Sequence, residues 1–172
     1  KFVLNVEKAG KLESTSWHFP TGITGYFAEA IVGLEPVATT FEGERYVTEQ
    51  TESSSFAEGE GALWALAWTG EGEVVAESYV NMIPTRHNGT HVAGLREGAY
   101  TAIKNFIDHH GMGQRGLKVV PEDVWSRASY VLSVKMLDPQ FKGQVKNELI
   151  SRDGVKLVAQ MVKDPLELWL SQ

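Results

Sequence analysis

Ser129-Tyr-Val-Leu-Ser-Val-Lys-Met136, followed by Asp138-Pro-Gln-Phe-Lys-Gly-Gln-Val-Lys-Asn-Glu-Leu149, is the stretch from which the fold is read. In the first run Tyr130, Leu132, Val134 and Met136 fall on one face and Ser129, Val131, Ser133 and Lys135 on the other. That is the period-2 pattern of a half-buried strand. Asp138-Pro139 ends the ladder, because proline has no N–H to donate and pushes the preceding residue away from helix. Phe141 is then an anchor in a polar loop, and Gly143 lets the backbone turn. Gln144 and Lys146 stand two apart, a spacing that in an extended segment aims both side chains the same way. An amide and an ammonium projecting together suit a phosphate, lysine as a mobile point charge and glutamine as a neutral donor. Alone, Gln-x-Lys is a weak motif, and a loop lysine is ordinarily just solvated.

Outward from this stretch, the pattern alternates between strands and helices. Pro121 to Arg127 reads as a short helix with proline at its first turn and acids beside it, as the helix dipole prefers. Val155 to Gln172 reads as a final helix, which Asp164-Pro165 is expected to kink or restart. Upstream, Val92, Leu95, Ala99, Ala102, Ile103 and Phe106 recur at helical spacing, so one face of a long helix is core. Asn88 or Thr90 is the expected cap of its start. Ala62 to Thr69 and Glu73 to Ile83 are two strong strand candidates, and Gly70-Glu-Gly72 between them predicts a hairpin. Trp64, Leu66 and Trp68 alternate with small residues, which favours packing under helices over a platform for stacking bases. Residues 35–60 are hard to read; Val37 to Tyr46 has strand character, and 48–60 is expected to be a mobile polar connection. Gly22 to Gly33 predicts a helix with Gly33 at its C-terminal end. Phe2 to Val6, a turn at Gly10 and Lys11 to Phe19 predict a hairpin. The sum is an α+β, two-layer sandwich with no internal repeat.

The 172 residues suit one domain. No apolar run approaches the ~18 residues of a membrane span, so neither a span nor a signal peptide is expected. With no cysteine there is neither a disulfide framework nor a thiolate metal site. The chain starts without methionine directly in a strand, which suggests a piece of a longer protein. The net charge of −6 is uneven: residues 1–83 carry 4 basic and 13 acidic side chains, and residues 84–156 carry 11 and 7. An acidic whole is a poor non-specific DNA binder, while a basic second half is compatible with a transient DNA surface. His87 and His91 stand four apart near a helix start, but no third ligand lies at a telling distance, so no metal is expected. His18 is expected to lie at the surface.

Val131 to Lys146, with the pattern Val-Leu-Ser-Val-Lys-Met-x-Asp-Pro-Gln-Phe-x-Gly-Gln-x-Lys, resembles a segment of the ATPase subunits of bacterial type IIA topoisomerases, the B subunits of topoisomerase IV and DNA gyrase. Tyr79-Val-Asn-Met-Ile-Pro-Thr85 and Gly89-Thr-His-Val-Ala-Gly-Leu-Arg-Glu-Gly98 resemble the same family at the right distance upstream. The resemblance spans essentially the whole chain, is nearest to the topoisomerase IV branch and is weakest before Glu60. It implies a single transducer domain over 1–172, with 1–20 a hairpin at the junction to an ATP-binding domain that this sequence lacks. It also implies a fold like domain 2 of ribosomal protein S5, with a left-handed βαβ crossover. That hand runs against the usual rule.

The function implied by the resemblance is to couple ATP binding and hydrolysis to closure of a DNA gate and passage of a duplex, in decatenation and relaxation. Gln144 and Lys146 would touch the ATP γ-phosphate; ATP and Mg2+ would be held mainly outside this sequence. Double-stranded DNA, the topoisomerase IV A subunits in a heterotetramer with two B subunits, and the ATP-binding domain of the same chain are the implied partners, in a cytoplasmic, nucleoid-associated protein with no membrane role. Arg86, Arg96, Lys104, Arg115 and Lys118 are the candidates for facing DNA. Two departures from the family pattern are Val145, where threonine is common, and Asn88, where glycine is usual; asparagine tolerates positive φ better than most residues. The alternatives are the equivalent gyrase domain, a non-enzymatic nucleic-acid- or protein-binding domain of the same fold, and a self-contained hydrolase using His87 or His91 with Asp108 or Asp138. No serine elbow, cysteine nucleophile or metal set supports the last.

Overall fold

The structure is a computed structural model that describes residues 1–50, 55–70, 72–113 and 118–172. The central element is the strand β7, Ala128–Lys135, in a five-stranded mixed sheet. The other strands are β3 (Phe41–Tyr46), β4 (Gly61–Trp68), β5 (Ala76–Val80) and β6 (Ile83–Pro84), in the order β3-β4-β7-β5-β6. β7 runs antiparallel to β4, from Gly61↔Lys135 to Trp68↔Ala128, and parallel to β5, from Ala76↔Tyr130 to Val80↔Val134. Its apolar residues on both faces explain the central place: Tyr130, Leu132 and Val134 belong to the main core and Val131 to a second cluster on the other side.

The expected hairpin between Ala62–Thr69 and Glu73–Ile83 does not form. β7 lies between the two strands, and the connection crosses its start instead. There Thr69 N–H donates to Arg127 O at 3.0 Å, Tyr130 N–H to Val75 O at 2.7 Å and Arg127 Nη1 to Gly72 O at 3.3 Å. A short glycine-bearing loop signals a reversal but not which strand is then joined. The expected strand 73–83 is also broken, at Asn81 and Met82. Both have positive φ, 49° and 65°, as a two-residue hairpin turn requires, and β5 then pairs with β6 through Val80↔Ile83.

The helices are α1 (Gly22–Ala30), α2 (Thr90–His109), α3 (Pro121–Trp125) and α4 (Asp153–Leu170). α2 and α4 cover one face of the sheet and bury Leu95, Ala99, Ala102, Leu157, Val158, Val162 and Leu166 against Trp64, Leu66, Leu132 and Val134. Thus Trp64 is a core residue, not a stacking platform. Their close approach rests on glycine: a Cβ on Gly94 would stand 2.4 Å from Val155 O, and one on Gly98 3.1 Å from Ala159 O. α1 sits on the opposite face, packing Phe27 and Ile31 on Ala65, Ala67 and Val131. The sandwich therefore has a partial third layer, made possible by small residues on that side of β4. α1 ends at Ala30, three residues before Gly33, which takes φ +88° in the turn that follows.

Three further expectations change. α4 runs through Pro165 without a restart; burial of Val162 and Leu166 on either side offsets the ~3 kcal/mol that an internal proline costs. Neither Asn88 nor Thr90 caps α2, because the N-cap position is Gly89, at φ +137°. The connection at 48–60 falls partly on residues 51–54, outside the described residues; past them the chain returns to the core through Phe56, 6% exposed. α3 begins as expected, with Asp123 Oδ2 accepting the Val120 N–H at 2.8 Å. β1 (Phe2–Lys8) and β2 (Lys11–Trp17) form the predicted hairpin, a separate two-stranded sheet turning at Ala9-Gly10.

Candidate functional site

β7 is finished by Asn81. Its amide donates to Met136 O at 2.8 Å and accepts the Met136 N–H at 3.0 Å, as a paired strand residue would. Glu60 Oε1 then takes the Leu137 N–H at 2.8 Å. From there the loop doubles back on itself. Ile150 N–H donates to Gln140 O and Lys142 N–H to Glu148 O, both at 2.9 Å, and Phe141 bridges Leu149. Lys142 and Glu148 add an ion pair across the limbs at 3.2 Å. Phe141 packs against the core and Leu149 is fully buried, so the base of the loop is anchored as expected.

Gln144 and Lys146 both stand exposed at the tip of this loop. They are not disposed as in an extended strand: residues 144–145 form a turn and Lys146 has φ +57°. Closing the reversal between Lys142 and Glu148 needs left-handed residues, and Gly143 (φ +72°) and Lys146 supply them. A non-glycine residue held there costs about 1 kcal/mol or more, strain of a kind that clusters at functional sites. Lys146 Nζ lies 5.8 Å from the Phe141 ring centroid, a cation over an aromatic face, so the ammonium is held near the loop body. Val145 is 75% exposed, clear of the core.

The far limb of the loop is joined to the turn before α2. His87 N–H donates to Asn147 O at 2.9 Å, Leu149 N–H to Asn88 O at 3.1 Å and Thr90 N–H to Leu149 O at 3.0 Å. Gly89 pairs with Leu149 there, and a Cβ on it would stand 2.3 Å from Leu149 O; with its φ of +137° only glycine fits. Asn88 takes φ +60°, which asparagine tolerates.

Beneath this turn is a buried polar cluster of Ser78, Thr85 and His91. Thr85 Oγ1 is 2.9 Å from Ser78 O, 2.7 Å from Ser78 Oγ and 2.9 Å from His91 Nε2. A carbonyl only accepts, so with the Thr85 proton given to Ser78 O, His91 donates from Nε2. His91 is fully buried, and burial pushes its pKa down from 6.5 to about 4, so the ring is neutral. Among the described residues, its Nδ1 and the Thr90 hydroxyl have no partner. Tyr130, its own pKa pushed up to about 12 by burial, donates to Asn88 Oδ1 at 3.3 Å. His91 is thus a side chain of the core, hydrogen-bonded to Thr85, while His87 is on the surface. Sequence reading passed over Ser78 and Thr85; the signal was polar residues on inward positions flanking the Asn81-Met82 turn.

The described basic candidates do not form one patch. Arg96 is ion-paired with Glu122, and Lys104 with Asp108 at 3.1 Å. Lys104 and Lys118 flank one cleft between α2 and the segment before α3, whereas Arg86 is exposed at another, beside β5 and β6. Arg115 lies outside the described residues. Of the hydrolase candidates, Asp108 and Asp138 are exposed, and Asp108 is occupied by Lys104. No pairing of either with His87 or His91 occurs among the described residues.

With this geometry in place, comparison with known proteins fixes the family. The family model for DNA gyrase B matches residues 22–172. The chain is 42% identical over 93% of its length to the B subunit of DNA topoisomerase 4 from Pseudomonas aeruginosa and 44% identical over 91% to that from Escherichia coli. It spans about a quarter of the length of these curated relatives. Among solved structures, the topoisomerase IV ATP-binding domain of Francisella tularensis, in complex with a small-molecule inhibitor, superposes with a TM-score of 0.68 at 32% identity. That match covers 94% of this chain and 41% of the other. The ATPase domain of Thermus thermophilus gyrase B shares the fold, with a TM-score of 0.77 at 20% identity over 98% of this chain and 43% of the other. This chain belongs to the DNA gyrase B family.

Proposed function

We propose that this chain is the transducer domain of the ATPase subunit of a topoisomerase IV, and that the 138–150 loop carries Gln144 and Lys146 to the γ-phosphate of ATP bound elsewhere in the same subunit. The supporting observation is the loop itself. A charged and a neutral donor are exposed on a strained tip, while every limb below them is hydrogen-bonded and anchored in the core. The relatives' names favour topoisomerase IV, while the name of the matching family model keeps gyrase B as the second reading. The matched part is under half of the solved ATP-binding domain. The remainder of such a subunit is where we place the adenine pocket, the magnesium ligands and the general base.

In that arrangement Lys146 stabilises charge on the transferring phosphoryl group and Gln144 adds a neutral donor. A loop that pairs with a γ-phosphate loses its partner on hydrolysis, so two rigid bodies reorient and the DNA gate is released. The β5–α2–β7 unit, with its parallel strands adjacent, is the βαβ crossover to which we assign the left hand of the ribosomal protein S5 fold. Double-stranded DNA and the topoisomerase IV A subunits are the proposed partners, in a cytoplasmic, nucleoid-associated assembly of two A and two B subunits. Among the described candidates, Arg86 and Lys118 are the basic residues most available to DNA, and Arg115, outside the described residues, stays a candidate. Arg96 and Lys104 would first have to leave their carboxylates.

The test is nucleotide preference in the full-length protein. Lys146→Ala and Gln144→Ala are expected to lower affinity for a non-hydrolysable ATP analogue by ten-fold or more and leave ADP affinity unchanged. Equal effects on both nucleotides, or none on either, would refute the γ-phosphate role.

A further inference from the structure

We infer that His91 is the positioning residue of the Gln144/Lys146 loop, acting through the Thr85 hydroxyl and the 85–90 turn to which residues 147–149 are hydrogen-bonded. The functional half of this inference rests on the nucleotide reading above; the structural half does not. His91 lies at the start of α2, fully buried, and makes its one side-chain hydrogen bond among the described residues to Thr85. Thr85 opens the turn. Its N–H is fixed on Ser78 O at 2.8 Å and its carbonyl takes the Asn88 N–H at 2.8 Å. Three backbone groups of that turn and helix start then reach the loop: His87 N–H, Asn88 O and Thr90 N–H. All three bonds land on residues 147–149, directly after Lys146. The path from imidazole to ammonium is therefore one hydroxyl, one tight turn and one short ladder, with Gly89 packed too closely on Leu149 to admit any side chain.

Packing alone does not account for a histidine here. Filling this site with an aliphatic side chain would avoid burying a ring nitrogen that has no partner among the described residues, a cost of order 1–3 kcal/mol. What an aliphatic side chain would not supply is a donor to Thr85, and without it the buried hydroxyl keeps its bonds to Ser78 but loses the one that ties it to the start of α2. Gly154 closes the other side, where a Cβ would stand 2.5 Å from Thr90 Oγ1 and 3.3 Å from His91 N. α4 thus backs the same turn, and the cluster has little room to relax.

The experiment is hydrogen exchange on the full-length protein, comparing wild type with His91→Leu, His91→Gln and Thr85→Val. His91→Leu and Thr85→Val should speed exchange at the His87, Thr90 and Leu149 amides by at least ten-fold and leave the Leu132 and Val134 amides of β7 unchanged. His91→Gln, whose amide reproduces the Nε2 donor, should restore protection. Thr85→Val is the milder change and serves if His91→Leu does not fold. Unchanged exchange at the three amides, or equal acceleration throughout β7, would overturn the positioning role. The same variants should lower preference for the ATP analogue over ADP by several-fold, with His91→Gln close to wild type. Lys146→Ala keeps the two failures apart. If it leaves nucleotide preference intact, the nucleotide reading falls while the exchange data still decide whether His91 positions the loop.

Discussion

At the scale of single residues, the molecule's polar chemistry is divided between an exposed pair and a buried cluster. Gln144 and Lys146 stand exposed, while His91, Thr85 and Ser78 lie in the core beneath the turn that holds their loop. Burial gives His91 a measurable signature. Above about pH 6.5 its ring is neutral whether the chain is folded or not. Between pH 6.5 and about 4 the unfolded chain binds a proton that the folded chain refuses, so stability falls as pH falls. The loss over that window is roughly 3 kcal/mol at ~1.4 kcal/mol per pH unit, and it levels off below the folded pKa. His91→Gln does not titrate. Its stability relative to wild type, from urea unfolding, is therefore expected to improve by ~2 kcal/mol between pH 7.5 and 5. A difference that does not vary with pH would mean that His91 titrates alike in the folded and unfolded chain, as a solvated ring does.

At the scale of elements, local pattern was a good guide and pairing was not. The two faces of Ser129–Met136 are divided as its alternation predicts, because they are fixed by a strand's period, but the strand is not half-buried, since Ser129 and Val131 on the second face are buried too. The α2 apolar stripe is likewise where its spacing put it. The β4–β5 hairpin failed because a short glycine loop is compatible with either a neighbour or a strand placed one position away, and the partner that intervened, β7, comes some fifty residues later. The extended geometry assumed for Gln144 and Lys146 failed for a related reason: the loop's two limbs pair with each other, a contact visible only once both are placed. Gly94 and Gly98 were not read at all, though they set how closely α2 and α4 approach. Gly94→Ala weighs two effects. Alanine gains ~1 kcal/mol of helix propensity, while a Cβ at 2.4 Å from a backbone oxygen forces the helices apart at ~1–3 kcal/mol. Packing is expected to win, with a net loss of up to ~2 kcal/mol read as a lower urea midpoint at unchanged slope. A neutral or stabilised Gly94→Ala would show that the helix pair yields easily.

At the scale of the whole molecule, a two-helix layer and a five-stranded sheet form a rigid platform from which one anchored loop projects. The charge asymmetry of the sequence survives as separate basic sites rather than a single surface, since two of the candidate cations are already matched by carboxylates. That division was not legible, because Glu122 and Asp108 reach those cations only after α2 and α3 are packed. The identity of the loop as a phosphate-reaching element was legible only through family resemblance, since Gln-x-Lys by itself carries almost no information. The measurement that bears most directly on it is DNA-stimulated ATP turnover by the full-length protein, wild type against Lys146→Ala. Losing one contact that stabilises developing charge is expected to lower turnover by ~10²–10³ with the fold intact. Near-normal turnover would make Lys146 an ordinary surface lysine and contradict the role given to this loop.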